Sequence, residues 1–327
     1  MSQIKNHFRG REIKSRLELL YDKGITRGLY CGFEKLNEHY SVKRGVTTYI
    51  YGAPFSGKTE FWFDVLVNMT ELHGWKHAIF SPETGSCEEI AAEIISKKCR
   101  KPFYKQQEGF LSEQEFYKEL DWFDEYFFII DPKDGDITVD QFYSSVDALE
   151  KEYGVKVDST LIDPFNELKH EFGADGRQDL YIENKLGLVR RNAQSYNRHN
   201  AIITHCTDQT QIKDTDINGN DIYYYTIPSP RQIAGGQAWY RKAMNLICVY
   251  RPPINVIDKS TGTPYLENEA NVIIQKYKPK GTGKKGLVKL YFDQQTNRYY
   301  ELIGNQKRYA GKQGHGLTKQ IIQADIF

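Results

Sequence analysis

Cysteines at metal-binding spacing are missing from this sequence: Cys31, Cys87, Cys99, Cys206 and Cys248 stand far apart, with no CxxC or CxxH among them. That argues against a zinc site or a disulfide scaffold and predicts reduced thiols in a cytosolic setting. An excess of one charge is also lacking, since 44 Lys and Arg face 43 Asp and Glu for a formal net charge of +1. A chain so balanced does not coat nucleic acid or an anionic membrane through bulk charge, so any polyanion must be met by a local patch. No apolar run approaches the ~18 residues of a membrane span. The opening stretch MSQIKNHFRGREIKSRLELL has charges interrupting each apolar run, so neither a signal peptide nor a membrane partner is expected. There is no internal repeat. What the chain does have is core-forming material: 327 residues with 39% hydrophobic and 13% aromatic content, enough for one large domain with appendages.

Residues 10–23 set Ile13, Leu17, Leu19 and Leu20 among Arg, Lys and Glu, which predicts a short amphipathic helix. From Val46 a β-branched and aromatic run ends at Gly52; a polar, glycine-bearing loop then leads into a helix over 60–71. Further strands are predicted at 77–81, 127–131, 159–162, 201–204 and 246–250, with helices at 88–98 and 139–153. Strands alternating with helices imply an α/β fold whose mostly parallel central sheet is covered on both faces, with ligands at the carboxyl ends of the strands. Near the end, 270–275 and 286–292 flank the glycine- and lysine-rich 279–285 and read as an antiparallel hairpin. The segment 208–230 is polar, tyrosine-bearing and long enough to be a functional loop.

Gly52-Ala53-Pro54-Phe55-Ser56-Gly57-Lys58-Thr59, followed by Glu60, satisfies GxxxxGK[ST] between a predicted strand and a predicted helix. The spacing serves triphosphate chemistry. Glycines let backbone N–H groups wrap the phosphates, the helix N-terminus adds positive potential, Lys58 reaches the β- and γ-phosphates, and Thr59 ligates Mg²⁺. The cofactors expected are therefore ATP and Mg²⁺. Thr160-Leu161-Ile162-Asp163 supplies an apolar strand ending in an acid, and beside a P-loop Asp163 is the residue to hold the metal, through water. Glu83, in Phe80-Ser81-Pro82-Glu83, follows the second strand on the same sheet edge. It is either the general base for water or an N-terminal acid of the next helix.

Taken together these residues resemble the RecA-like core of the DnaB-type replicative helicases, and most closely the helicase half of Twinkle-like primase-helicases, over roughly 32–301. Gly32-Phe33-Glu34-Lys35-Leu36 and Gly45 resemble the family's lead-in to the P-loop. Ser81-Pro82-Glu83 resembles the motif with the catalytic base, which favours that role for Glu83. Leu161-Ile162-Asp163-Pro164-Phe165-Asn166 resembles the metal-binding strand. Ile202-Ile203-Thr204-His205 resembles the strand whose terminal residue senses the γ-phosphate, and 231–239, with Arg231, Gly235 and Gly236, resembles the DNA-facing motif. One departure stands out. Where the family has Lys-x-Arg reaching a neighbour's ATP site, this chain has Lys276-Tyr277-Lys278. Lysine gives charge without the planar guanidinium fork, so the trans contact falls to Lys276 and Lys278 or to Arg251.

The resemblance implies a self-assembled ring, a hexamer, moving 5′ to 3′ on single-stranded DNA in the bacterial or phage-infected cytoplasm. Channel loops would be 166–179, with Lys169, His170 and Arg177, and 208–231, with Lys213, tyrosines and Arg231. The implied domains are an N-terminal linker helix that docks on an adjacent subunit (1–30), a RecA-like ATPase domain (31–303) and a basic tail (304–327). With about 30 residues ahead of the core, primase activity is expected from another chain. The tail ends in Gln323-Ala324-Asp325-Ile326-Phe327, similar to sliding-clamp-binding peptides, or packs back on its own domain. Two alternatives remain: a RecA-type recombinase or mediator forming filaments, and a nucleotide-gated assembly protein.

Overall fold

The computed structural model describes residues 7–132, 136–172, 176–207, 209–304 and 306–310. A 3₁₀ turn (Gly10–Ile13) leads into α1 (Lys14–Lys23) and a short α2 (Glu34–Asn37), followed by β1 (Thr47–Gly52) and α3 (Lys58–His73). Next come β2 (His77–Phe80), α4 (Cys87–Cys99), α5 (Glu113–Tyr126), β3 (Phe127–Ile129), α6 (Val139–Tyr153) and β4 (Ser159–Ile162). After α7 (Gln178–Tyr196) and β5 (His199–His205), a separate two-stranded ribbon forms from β6 (Gln211–Thr215) and β7 (Asp221–Tyr225). The chain then continues through α8 (Gln237–Lys242), β8 (Asn245–Tyr250), β9 (Glu269–Lys276), β10 (Gly286–Asp293), β11 (Arg298–Ile303) and β12 (Gln306–Tyr309).

The main sheet has the order β12-β11-β10-β9-β8-β1-β5-β4-β2-β3. From β8 to β3 all neighbours are parallel, and from β8 to β12 all are antiparallel. β1 is buried at every residue because both faces are covered. The two-residue period sends Ile50 to one face with Ile79, Leu161 and Ile203, and Tyr49 and Tyr51 to the other with Phe80, Ile162 and Ile202. Phe61, Trp62 and Val65 of α3 and Ile90 and Ile94 of α4 cover the first face. Phe142 and Val146 of α6, Leu186 and Val189 of α7 and Trp239 of α8 cover the second. Capping boxes at Ser86/Glu89, Ser112/Glu115 and Thr138/Gln141 start α4, α5 and α6, and left-handed Gly74 and Gly154 end α3 and α6.

The mostly parallel sheet and the late antiparallel hairpin are as expected. Three features are not. The sequence reading left out α5 and α7; 208–230 contains a β-ribbon; and β12, paired with β11, carries the sheet to Tyr309, past the expected boundary at 303. The N-terminal helix forms, but it buries no side chain, and Leu17, Leu19 and Leu20 are exposed. The peptide 323–327 and the loop residues 173–175 and 208 lie outside the described residues. Among the described residues no helix is long and apolar enough to cross a membrane.

Candidate functional site

Four adjacent parallel strands, β1, β5, β4 and β2, deliver their carboxyl ends to one edge of the sheet. Each is followed there by a nominated residue: the P-loop after β1, His205 at the end of β5, Asp163 after β4 and Glu83 after β2. The loop turns because of its glycines. A Cβ on Gly52 would lie 2.2 Å from the Val249 carbonyl oxygen. Gly57 has φ 85°, and a Cβ there would meet the Tyr299 hydroxyl at 2.4 Å. Phe55 also adopts a left-handed φ of 59° with its ring 98% exposed. The Lys58 ammonium is buried and donates to the Ala53 carbonyl at 2.8 Å; burial lowers its pKa, with Asp163 opposing.

Asp163 Oδ2 accepts from the Thr59 hydroxyl at 2.8 Å and the Ser81 hydroxyl at 3.1 Å, while buried Oδ1 has no protein partner. Burial pushes this carboxyl up to about 6, against the Thr59, Ser81 and Lys58 contacts that lower it. A desolvated carboxylate with one unfilled oxygen beside the Thr59 hydroxyl fits a hydrated divalent cation. Among the described residues no three His, Cys, Asp or Glu converge as a complete metal cage. A cation here would therefore take its other ligands from water and phosphate. Glu83 points both carboxylate oxygens at His205 Nε2, each at 3.1 Å, at the mouth of the same cleft. The cleft encloses about 790 Å³ and is also walled by Glu60, Glu93, Tyr104 and Arg251.

Lys276 and Lys278 are not in this cleft. The register pairs Tyr250 with Asn271 and Leu246 with Lys276, so β9 carries Lys276 to the sheet edge opposite the P-loop. There its ammonium donates to the Tyr240 and Arg241 carbonyls at 2.5 and 3.4 Å, and the Lys278 N–H donates to Asn245 Oδ1 at 3.1 Å. Arg251 has the reverse placement: it lines its own chain's cleft, with Nε 3.8 Å from where a Gly57 Cβ would sit.

Three of the four cations nominated for DNA are paired in this state: Lys169 with Asp136 at 3.8 Å, Arg177 with Asp179 at 2.7 Å and Lys213 with Asp221 at 2.6 Å. Arg231 is exposed and makes no ion pair among the described residues. His170 turns inward against Phe165, Phe172 and Tyr181, and burial lowers its pKa. Gly235 has a left-handed φ of 82°, which favours glycine, and a Cβ there would also press on the tip of Ile182; Gly236 precedes α8. The sequence reading missed Glu93 and Tyr104, which the fold brings to the cleft without a local motif, and Tyr299, which packs beneath Gly57. Ser81 could have been found, since it stands in the Ser-Pro-Glu run.

The chain is 26% identical over 300 residues to the Twinkle homolog protein, chloroplastic/mitochondrial, of Arabidopsis thaliana; the match covers 89% of this chain and 39% of that relative's length. Its fold is similar to a solved ATPase domain (TM-score 0.66, 18% identity, 92% of this chain and 100% of that one). It is also similar to a DnaB-like replicative helicase whose structure was described with its interactions with primase (TM-score 0.64, 17% identity, 93% and 69%). No protein-family model matches the chain. The expected resemblance to DnaB-type and Twinkle-like helicases agrees with these similarities, and the fold is like that of the two solved structures.

Proposed function

We propose that this chain is the ATPase core of a replicative DNA helicase that hydrolyses Mg²⁺-ATP while moving on single-stranded DNA. The observation that carries the proposal is the convergence of Lys58, Thr59, Asp163, Glu83 and His205 on one cleft at the edge of four parallel strands. Similarity to the Twinkle homolog over most of the chain supports it.

Bound Mg²⁺ supplies charge neutralisation at the phosphates, with Thr59 and Asp163 holding it and Asp163 acting through water. Lys58 leaves the Ala53 carbonyl to meet phosphate oxygens, while the N–H groups of residues 52–59 wrap them. Glu83 accepts the proton of the attacking water. His205, already touching Glu83, is the group that a change at the γ-phosphate would move, and it ends the strand leading to the β6/β7 ribbon.

The charge-paired Lys169, Arg177 and Lys213, with Arg231, are proposed to turn to DNA phosphates in a central channel. Lys169, Arg177 and Lys213 would each exchange an acid partner for a phosphate. The unburied apolar stripe of α1 suits docking on a second copy in a ring, a hexamer, in which Lys276 and Lys278 meet a neighbour's nucleotide. Movement is proposed as 5′ to 3′, with a primase on another chain as a partner and the 323–327 peptide as a candidate clamp ligand.

Steady-state ATP hydrolysis with and without single-stranded DNA tests the reading, beside Lys58→Ala and Glu83→Gln. DNA-stimulated turnover lost in both variants is expected, at a cost of ~10²–10⁴-fold for the missing base. Absence of stimulation at concentrations where rings form would turn the reading to a nucleotide-gated assembly protein.

A further inference from the structure

One buried cation has no part in the chemistry above. Lys97 of α4 is fully buried, and oxygens from α3, α4 and the turn before β11 surround its ammonium. They are Glu60 Oε2 at 2.5 Å, the Asn297 carbonyl at 3.0 Å, Glu93 Oε1 at 3.3 Å and Asp64 Oδ1 at 3.7 Å. Asp64 is matched separately, by Arg298 Nε at 3.0 Å and the Tyr299 N–H at 2.6 Å. For Glu60, Lys97 is the one ion-pair partner among the described residues. Glu60 shares the first turn of α3 with Lys58 and Thr59 and lines the cleft with its side chain 35% exposed. An uncompensated carboxylate in that turn repels a triphosphate and competes with it for Lys58 and Arg251, which line the same cleft. Burial works against charge on Lys97, yet Glu60, Asp64 and Glu93 raise its pKa, so the ammonium stays charged. Burial likewise opposes charge on Glu60, and Lys97, ahead of Arg251, holds that carboxyl below its ordinary value. Arg251 stands in the cleft, where phosphate can draw it away; Lys97 acts from beneath and cannot be drawn off.

We propose that Lys97 is a positioning residue for nucleotide binding: it pins the Glu60 carboxylate against α4 and neutralises it, which leaves Lys58 and Arg251 to the phosphates. It touches no nucleotide itself and acts through Glu60. The inference rests on the ATP-site reading above and names the buried group that sets the charge of that site.

Steady-state ATP hydrolysis by the full chain, with urea unfolding alongside, gives the test. The proteins are the wild type, Lys97→Met, Lys97→Arg, Glu60→Gln and the Lys97→Met/Glu60→Gln pair. Lys97→Met is expected to raise KM for ATP about ten-fold or more, the effect of one uncompensated carboxylate near a polyanion at an effective dielectric of about 20, with little change in kcat. Lys97→Arg keeps the charge and should stay closer to the wild type. In the Glu60→Gln background the Lys97→Met change should move KM less than about two-fold, because the acid it neutralises is gone. Losing a partner from a buried ion cluster also destabilises the fold, but that alone lowers the active fraction, and so the apparent kcat, at unchanged KM. Should Lys97→Met not fold, Glu60→Gln decides: with Lys97 in place and the acid removed, KM is expected to fall. A KM unchanged or raised in Glu60→Gln would mean that the carboxylate does not oppose the nucleotide, and overturns the proposal. An unchanged KM in Lys97→Met, or an equal rise in both backgrounds, overturns it too. If the wild type neither binds nor hydrolyses ATP, the ATP-site reading fails and takes this inference with it.

Discussion

Gly57→Ala should damage the P-loop through two separable costs, and a second substitution tells them apart. The first is backbone: Gly57 sits at φ 85°, where an L side chain costs about 1–2 kcal/mol. The second is contact: the new Cβ would lie 2.4 Å from the Tyr299 hydroxyl, and Tyr299 is fully buried with no room to withdraw. Forcing a methyl into such packing costs roughly 1–3 kcal/mol. Tyr299→Phe removes the offending oxygen and leaves Cζ at 3.7 Å, an ordinary contact. The Tyr299 hydroxyl stands beside Arg251, so Tyr299→Phe alone is expected to cost about 0.5–1.5 kcal/mol for that contact, and the cycle subtracts it. Gly57→Ala is therefore expected to lose about 2–5 kcal/mol in the wild type and only about 1–2 in the Tyr299→Phe background. Urea unfolding of the four proteins, with nucleotide binding alongside, measures the coupling. An equal cost in both backgrounds would refute the claim that Tyr299 sets the loop's shape.

Trp239→Ala should cost about 3–5 kcal/mol in urea unfolding. The ring is fully buried against Tyr49 and Phe165 at 5.2 and 5.1 Å, and Nε1 donates to the Ala234 carbonyl at 2.6 Å; a loss under 1 kcal/mol would contradict this packing. Glu301 accepts the N–H groups of Glu34, Lys35 and Leu36 at 2.6, 2.8 and 3.2 Å, yet burial dominates and pushes its carboxyl up to about 7 from 4.5. The folded chain holds this proton where the unfolded chain has released it. The contribution is thus full below pH 4.5 and is lost as pH rises through about 7, up to about 3 kcal/mol. Glu301→Gln should flatten the decline in unfolding midpoint between pH 5 and 8, and an unchanged slope would rule the assignment out.

The chemistry written in short runs was legible before the structure. A P-loop must be contiguous, and Asp163, Glu83 and His205 each follow a strand whose apolar run is visible, so parallel topology alone brings them together. What local pattern could not supply was contact across the sheet. Tyr299 reaches Gly57 from β11, and Asn297, just before β11, reaches Glu93 on α4. The missed α7 did carry a signal, with Ile182, Leu186, Val189 and Ala193 at helical spacing, but Gly187 and a dense set of charged neighbours obscured it. The missed α5 carried a signal too, with Phe116, Leu120 and Phe123 at helical spacing, but its aromatics stay only partly buried where Trp122, Phe123 and Tyr126 pack on the core. Gly235 and Gly236 stand in the segment that resembles a DNA-facing motif, yet for Gly235 a left-handed φ of 82° is sufficient reason for a glycine.

The two ends of β9 sharpen the proposal of assembly. Asn271 lies beside Tyr250, next to the P-loop edge, and Lys276 lies five residues along, beside Leu246. At about 3.3 Å per residue the two ends are roughly 17 Å apart, more than a lysine side chain spans. Lys276 therefore cannot reach the nucleotide of its own chain, whereas Arg251 already stands at it. A role for Lys276 in hydrolysis would require a second copy set with one sheet edge against the other, a head-to-tail contact that closes into a ring when its rotation allows. The lysine is also anchored to the carbonyl end of α8, the helix that follows Gly235 and Gly236. Drawing its charge toward a neighbour's phosphate would pull on the segment proposed to face DNA. In such a ring the sheet would link nucleotide state in one subunit to the segment proposed to face DNA in the next without a long conformational path within either chain.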